Sequence, residues 1–434
     1  MLTGDVTLTS TNNDVDLQLA AGGIDATTAG VQGLAISTGT GVVSLPVVGT
    51  TALDFLTVTT KGEATLFGNI TTVNAIDMSA ATNKININGD VEVDSTAGSI
   101  DLSGSDIEPN ADTDNLIIGS AGTTTVRVAN IGAATKVASL TITSTDGATL
   151  TGNITTVDDV TVTGDTIVGA DITIATAGAA TNDIILATIN DDAAAARRSL
   201  TLNAVLGAVT ITEVGGIRSL GTLDINAAAT SFDGDITADN LNVDGITGAV
   251  TLADAVDITV DNTAVNFVNA GSIDGAFDFG ILAGTGPVTI PDVDGPTDIN
   301  ISGGTVTAGT ITTAGFNVAL TSTTGDITAL DIDTTDAAGA GGDITLDSAG
   351  GITTTVITAT GGAGDGGNII LHAVNDISTT DQDINAFSKA GAGGAIGVIS
   401  DFGNVDLENV NTTGDGANAG GELIVNALNG TLII

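Results

Sequence analysis

From its first residues the chain alternates apolar and polar positions with a period of two. Met1-Leu2-Thr3-Gly4-Asp5-Val6 enters the pattern at once, Ile344-Thr345-Leu346-Asp347 shows it plainly, and Gly430-Thr431-Leu432-Ile433-Ile434 ends on an apolar run. A period of two puts alternate side chains on opposite faces of a strand, whereas a helix face needs apolar residues three and four apart. Runs rich in Val, Ile and Thr, bounded by Gly, Asn and Asp, therefore predict short strands in close succession, each ended by a turn. Gly and Asn supply the positive φ that tight corners need, and Asp closes Asx turns. One segment departs from this pattern: Asp191-Asp192-Ala193-Ala194-Ala195-Ala196-Arg197-Arg198 predicts one or two helical turns at a corner.

The strands recur in a longer rhythm. Ala64-Thr65-Leu66-Phe67-Gly68-Asn69-Ile70-Thr71-Thr72-Val73 returns almost unchanged as Ala148-Thr149-Leu150-Thr151-Gly152-Asn153-Ile154-Thr155-Thr156-Val157. Looser copies begin at Phe232 and Gly325. Such spacings suggest four turns of about 21 residues each, within the range of repeat architectures. Towards the C-terminus the double glycines Gly341-Gly342, Gly366-Gly367, Gly393-Gly394 and Gly420-Gly421 set a slightly longer beat. Each follows a small-residue stretch and precedes an alternating strand.

A unit of this length cannot bury its own apolar face, but stacked units can. The expected fold is all-β, a right-handed parallel β-helix of roughly 16–20 coils, about 80 to 100 Å long at about 4.8 Å per coil. A β-sandwich array competes, but it calls for hairpins and more aromatic core anchors. Three of the five prolines fall between Pro287 and Pro296. Proline cannot donate to a strand ladder, so a long loop or register break is expected at 287–296. It would separate coils of about 21 residues over 1–286 from coils of about 26 residues over 297–434.

Composition narrows the function. The 434 residues include 59 Gly, no Cys, no Trp, no Tyr and one His, with 52 acidic residues against 8 basic ones, for a net charge of -44. Eight scattered cations cannot build the basic stripe that displaces counterions from phosphates, so no nucleic acid is expected as a partner. Without cysteine there is no disulfide scaffold, zinc ribbon or thiol nucleophile. A hydrophobic content of 42% separates the chain from a disordered acidic tail. No run approaches the roughly 18 apolar residues of a membrane helix, so no membrane span is expected. The first residues lack the basic and apolar regions of a signal peptide.

Gly341-Gly342-Asp343-Ile344-Thr345-Leu346 and Gly366-Gly367-Asn368-Ile369-Ile370-Leu371, each after an Ala/Gly-rich corner, resemble the coils of filamentous-haemagglutinin-type exoproteins. More broadly they resemble β-strand-repeat bacterial surface proteins. The resemblance is clearest over 325–434. It implies right-handed β-helical rods that are secreted and used in adhesion, biofilm or surface layers. Neither the secretion domain nor the signal peptide of that family is read in this sequence, which leaves the route of export open.

Acidic pairs are the candidate chemistry. Asp292, Asp294, Asp331, Asp333 and Asp336, with Asp158-Asp159, Asp191-Asp192 and Asp381-Gln382-Asp383, are either solvated turn residues or weak calcium ligands. Calcium takes six to eight oxygens, and none of these clusters has the full EF-hand spacing. Paired carboxylates can also hydrolyse glycosidic bonds, but a chain without Trp or Tyr offers a poor sugar cleft. No cofactor beyond weakly bound calcium is expected. His372 sits outward on a strand and reads as inert. Arg197-Arg198 reads as a partner for Asp191 and Asp192.

The expectation is therefore a non-enzymatic extracellular or cell-surface structural protein, forming or belonging to a fibre, filament or matrix. Its ends carry no polar caps, so the expectation is either a processed or excised piece of something longer or ends that neighbours cover. Met1, Leu2, Val6 and Leu8 at one end and Leu428, Leu432, Ile433 and Ile434 at the other are the candidates for head-to-tail self-assembly, other surface-layer components being the alternative partners. An adhesin stalk binding glycans through its loops is the second reading. A polysaccharide-cleaving β-helix using Asp158 or Asp159 is the remote one.

Overall fold

The structure, a computed structural model, describes residues 1–20, 22–177, 182–192, 197–379, 383–415 and 418–433. The chain is an all-β, right-handed parallel β-helix of about 17 turns. It divides into two compact units, Met1–Ala228 and Ala229–Ile434.

In the first unit each coil contributes to three faces. Val6, Leu34, Leu56, Ile76, Ile100 and Val126 stack on the first face, and the column runs on through Ala148, Thr166 and Ile189 to Val214. Val15, Val43, Ala64, Ile85 and Ile107 begin the second face, which continues through Ile131 and Ile154 to Leu202. Ile24, Val48, Ile70 and Val93 begin the third, which ends at Ile211. All of these pairings are parallel. The alternation read from the sequence is the cause: in Leu34–Thr38 the first, third and fifth residues are buried and the others only partly so.

The second unit repeats the plan. Val250 leads one column to Val410, Val256 a second to Leu423, and Val265 a third to Leu432. Phe232, Phe267 and Phe279 are its largest fully buried side chains, and the remaining core is aliphatic. Fully burying one such Val, Ile or Leu is worth about 1.5–3 kcal/mol, and every coil repeats that gain.

The double-glycine beat has a steric origin. A Cβ on Gly367 would lie 2.1 Å from the Gly342 carbonyl oxygen, on Gly394 2.0 Å from that of Gly367, and on Gly421 2.0 Å from that of Gly394. The corners of successive coils stack so closely that each leaves room only for hydrogen on the next. Ile344, Ile369, Ile396 and Leu423, which follow these corners, stack directly one on the next.

Two expectations change. The segment 287–296 is neither a long loop nor a register break. Strands Val288–Ile290 and Val293–Asp294 run through it and pair in parallel with the coils on both sides. Pro287 precedes one strand and Pro291 lies between the two, places where no ladder N–H is required. The repeated decamer does not mark a whole number of coils either. Ala64 stacks through Ile85, Ile107 and Ile131 onto Ile154, whereas Ala148 belongs to the first face. Coil length varies: the step from Ala148 to Thr166 is short and the step from Val6 to Leu34 long, so equal sequence spacing does not mean equal position. The decamer encodes a strand–corner–strand step that serves at more than one corner. Of the predicted helical turn, residues 193–196 lie outside the described residues, and Asp191 ends the strand Ile184–Asp191.

Candidate functional site

The acidic residues are largely spent on the coil itself. Before five successive strands of one column in the second unit, those from Phe279 to Ile369, stands an Asp or Asn whose side-chain oxygen accepts the backbone N–H of the equivalent residue one coil on. Asp278 Oδ1 accepts from Asp298 at 3.2 Å, Asp298 from Asn317 at 2.9 Å, Asn317 from Asp343 at 2.9 Å, Asp343 from Asn368 at 2.7 Å, and Asn368 from Ala395 at 3.0 Å. A second ladder runs from Asp376 through Asn404 to Thr431. The first unit does the same with Asp5 to Gly33, Asp14 to Val42, Asp90 to Asn115, and Asp159 through Asp183 to Ala208. These N–H groups lie at corners, where the strand ladder does not satisfy them, and a carboxylate or amide oxygen supplies the acceptor. The Thr297 hydroxyl, and after it the Asp298 N–H, hold the Asp278 carboxyl below its ordinary pKa by stabilising its charged form.

The predicted calcium ligands fall into this scheme. Asp292 accepts from Thr310 N–H at 2.8 Å and Asp331 from Val356 N–H at 3.2 Å, each capping the following coil. Asp333 and Asp336 close local turns on Thr335 and Ala338. Asp294 and Asp333 occupy one outward column with Thr312 between them. Two rungs separate them, about 9.6 Å, too far for one ion that needs oxygens at about 2.3–2.6 Å. Among the described residues no group of three or more His, Cys, Asp or Glu is placed to hold a metal. Asp158 and Asp159 are exposed, and Asp159 caps Asp183 N–H at 2.8 Å. Asp381 lies outside the described residues.

His372 is outward, as expected, but it is engaged. Its Nδ1 lies 2.8 Å from Asp347 Oδ1 and its Nε2 3.6 Å from Asp401 Oδ2, so carboxylates on both sides clamp the ring. The hydrogen bond to Asp347 raises its pKa, against a smaller opposing effect of burial and with help from the charges of Asp347 and Asp401. Arg198 Nε lies 3.4 Å from Asp192 Oδ1, its N–H donates to Asp191 Oδ2 at 2.7 Å, and Arg218 Nη1 donates to the Asp192 carbonyl at 2.5 Å. The Arg198 pairing is the one the sequence suggests; the Arg218 contact has no local signal because its partners are distant in the chain.

The remaining features are surfaces. In the coil containing Leu423–Ala427 and Leu432–Ile433, the inward residues lose their cover. Leu423 is 45% exposed and Leu432 44%, against 1% for Ile396 and 0% for Val405 one rung below. Leu428 and Ile433 are exposed as well. At the start of the first unit Met1 is exposed, while Leu2, Val6 and Leu8 are half-buried. Ile434 lies outside the described residues. Shallow grooves lie on outward strand faces among the described residues, two of which join acidic and apolar side chains. One of about 350 Å³ in the first unit lies among Asp90, Glu92, Asn115 and Ile117, and one of about 250 Å³ in the second lies among Asp343, Asn368, Ile370 and Ile424. The sequence reading misses both, since each joins residues from separate coils. The architecture agrees with the general class of β-helix repeat proteins. No protein-family model, curated protein or solved structure matches the chain.

Proposed function

We propose that the protein is a non-enzymatic structural component of an extracellular or cell-surface fibre or matrix, and that its β-helical coils continue head to tail from one molecule to the next. The observation that carries this reading is the parallel stacking of coil on coil, continuous from Val256 to Leu423, a packing that a parallel coil of another molecule can extend. Leu423 and Leu432, 45% and 44% exposed, are where such a coil would seat. The half-buried Val6 and Leu8 offer such a coil. The carboxylate ladders support a structural role because they serve the packing of coil on coil, and the charge they bring opposes lateral aggregation of β-rich surfaces.

Sedimentation velocity over a concentration series, with and without calcium, tests this. The native protein is expected to form species larger than the monomer as concentration rises, and the Leu423→Asp, Leu432→Asp double variant to remain monomeric. A native protein that stays monomeric throughout contradicts it. The grooves favour a second reading, an adhesive element that binds glycans along its strand faces. Saturable binding on a glycan array that is lost in Ile117→Asn would support that instead.

A further inference from the structure

One outward column of the second unit, Thr345, Ile370, Gly397 and Ile424, holds a glycine that the fold does not require. Glycine inside a strand weakens it, and it is kept for a left-handed φ or for a close approach of backbone or ligand. Gly397 has no positive φ, and a Cβ added to it would meet no heavy atom within 4 Å. Gly280, lower in the same column, is different: a Cβ there would collide with the Asp257 carboxylate. The missing side chain at 397 therefore leaves an unfilled notch.

The walls of the notch are apolar and its rim is acidic. Ile370 on one side is 50% exposed and Ile424 on the other 49%. They stand two rungs apart, about 9.6 Å, room for one inserted side chain. The notch opens into the groove of about 250 Å³ rimmed by Asp343, Asn368 and Glu422. That volume is below the roughly 300–1,000 Å³ of pockets that enclose a whole small molecule.

We propose that this groove docks a protein partner through a segment in which an apolar side chain is flanked by lysine or arginine. The apolar group seats over Gly397 between Ile370 and Ile424, and the flanking cations meet Asp343 and Glu422. Charge selects the partner. A second copy of this chain carries 52 acidic residues against 8 basic ones and would bring the repelling sign. A neutral apolar ligand would leave the rim carboxylates unused.

The test is fluorescence anisotropy with a labelled Lys-Phe-Lys-Phe-Lys peptide in about 0.15 M NaCl, where attraction between exposed charges is screened beyond about 8 Å. Saturable binding is expected, weakened at least about tenfold by Gly397→Val and about threefold by Glu422→Gln, with no saturation by Lys-Ser-Lys-Ser-Lys. Gly397→Val should melt at or above the temperature of the native protein. If it fails to fold, Ile370→Ser and Ile424→Ser remove the walls without filling the notch and should weaken binding in its place. Equal binding of the two peptides, binding indifferent to the notch variants, or no saturable binding overturns the proposal.

Discussion

Gly367 and Gly397 lie in neighbouring coils, yet they are glycines for opposite reasons. A methyl at Gly367 would sit 2.1 Å from the Gly342 carbonyl oxygen, and a methyl at Gly397 would meet nothing. Gly367→Ala should therefore destabilise by about 1–3 kcal/mol, the usual cost of forcing extra volume into a packed site. Gly397→Ala should be neutral or stabilising by up to about 1 kcal/mol through the unfolded chain. Thermal melts of the two variants check this, and equal effects would contradict it. His372 gives a pH signature at the same scale. Its folded pKa is raised, chiefly by the bond to Asp347. The clamp's contribution is thus fully present below the unfolded value near 6.5 and is lost as pH rises through the higher folded value. The stability difference between the native protein and His372→Gln should be larger at pH 5.5 than at pH 8.5. A difference that is the same at both contradicts the clamp.

Between coils, the Asp/Asn ladder separates the hydrogen-bonding role of aspartate from its charge. Asp343→Asn keeps an oxygen for the Asn368 N–H and should cost little. Asp343→Ala leaves that donor to water and should cost about 0.5–1.5 kcal/mol, the net worth of an ordinary hydrogen bond. Urea melts of both decide it; equal losses would mean that charge matters more than the acceptor. Much of the element scale is legible in the sequence. Alternation in Ile344-Thr345-Leu346-Asp347 reports which side chains point inward, and the Gly-Gly-Asp/Asn-Ile beat reports the coil length of the last turns. The capping partners are not legible. Asp343 reaches Asn368 across a longer stretch of chain than Asp278 reaches Asp298, and nothing local announces which residue the next coil will bring alongside. The same variation hides the displacement of the repeated decamer. It also hides the strands Val288–Ile290 and Val293–Asp294, where prolines at corners look like a break until the ladder is traced.

For the whole molecule, the net charge of -44 is the counterpart of its packing, because many of the carboxylates are acceptors that the coils use. Asp159, Asp292 and Asp331 each accept from the backbone of the next coil. What was readable early was the shortage of reactive side chains; what was not readable was the groove at Gly397, which exists only once four coils are stacked. In the proposed assembly, surfaces that repel sideways favour growth along the coil axis over lateral clumping. Electron microscopy of the purified protein at about 0.15 M salt, where that repulsion is screened to short range, tests this most directly. Unbranched filaments that disappear in the Leu423→Asp, Leu432→Asp variant are the predicted result. Isolated particles of a single chain at every concentration, in native and variant protein alike, would contradict it.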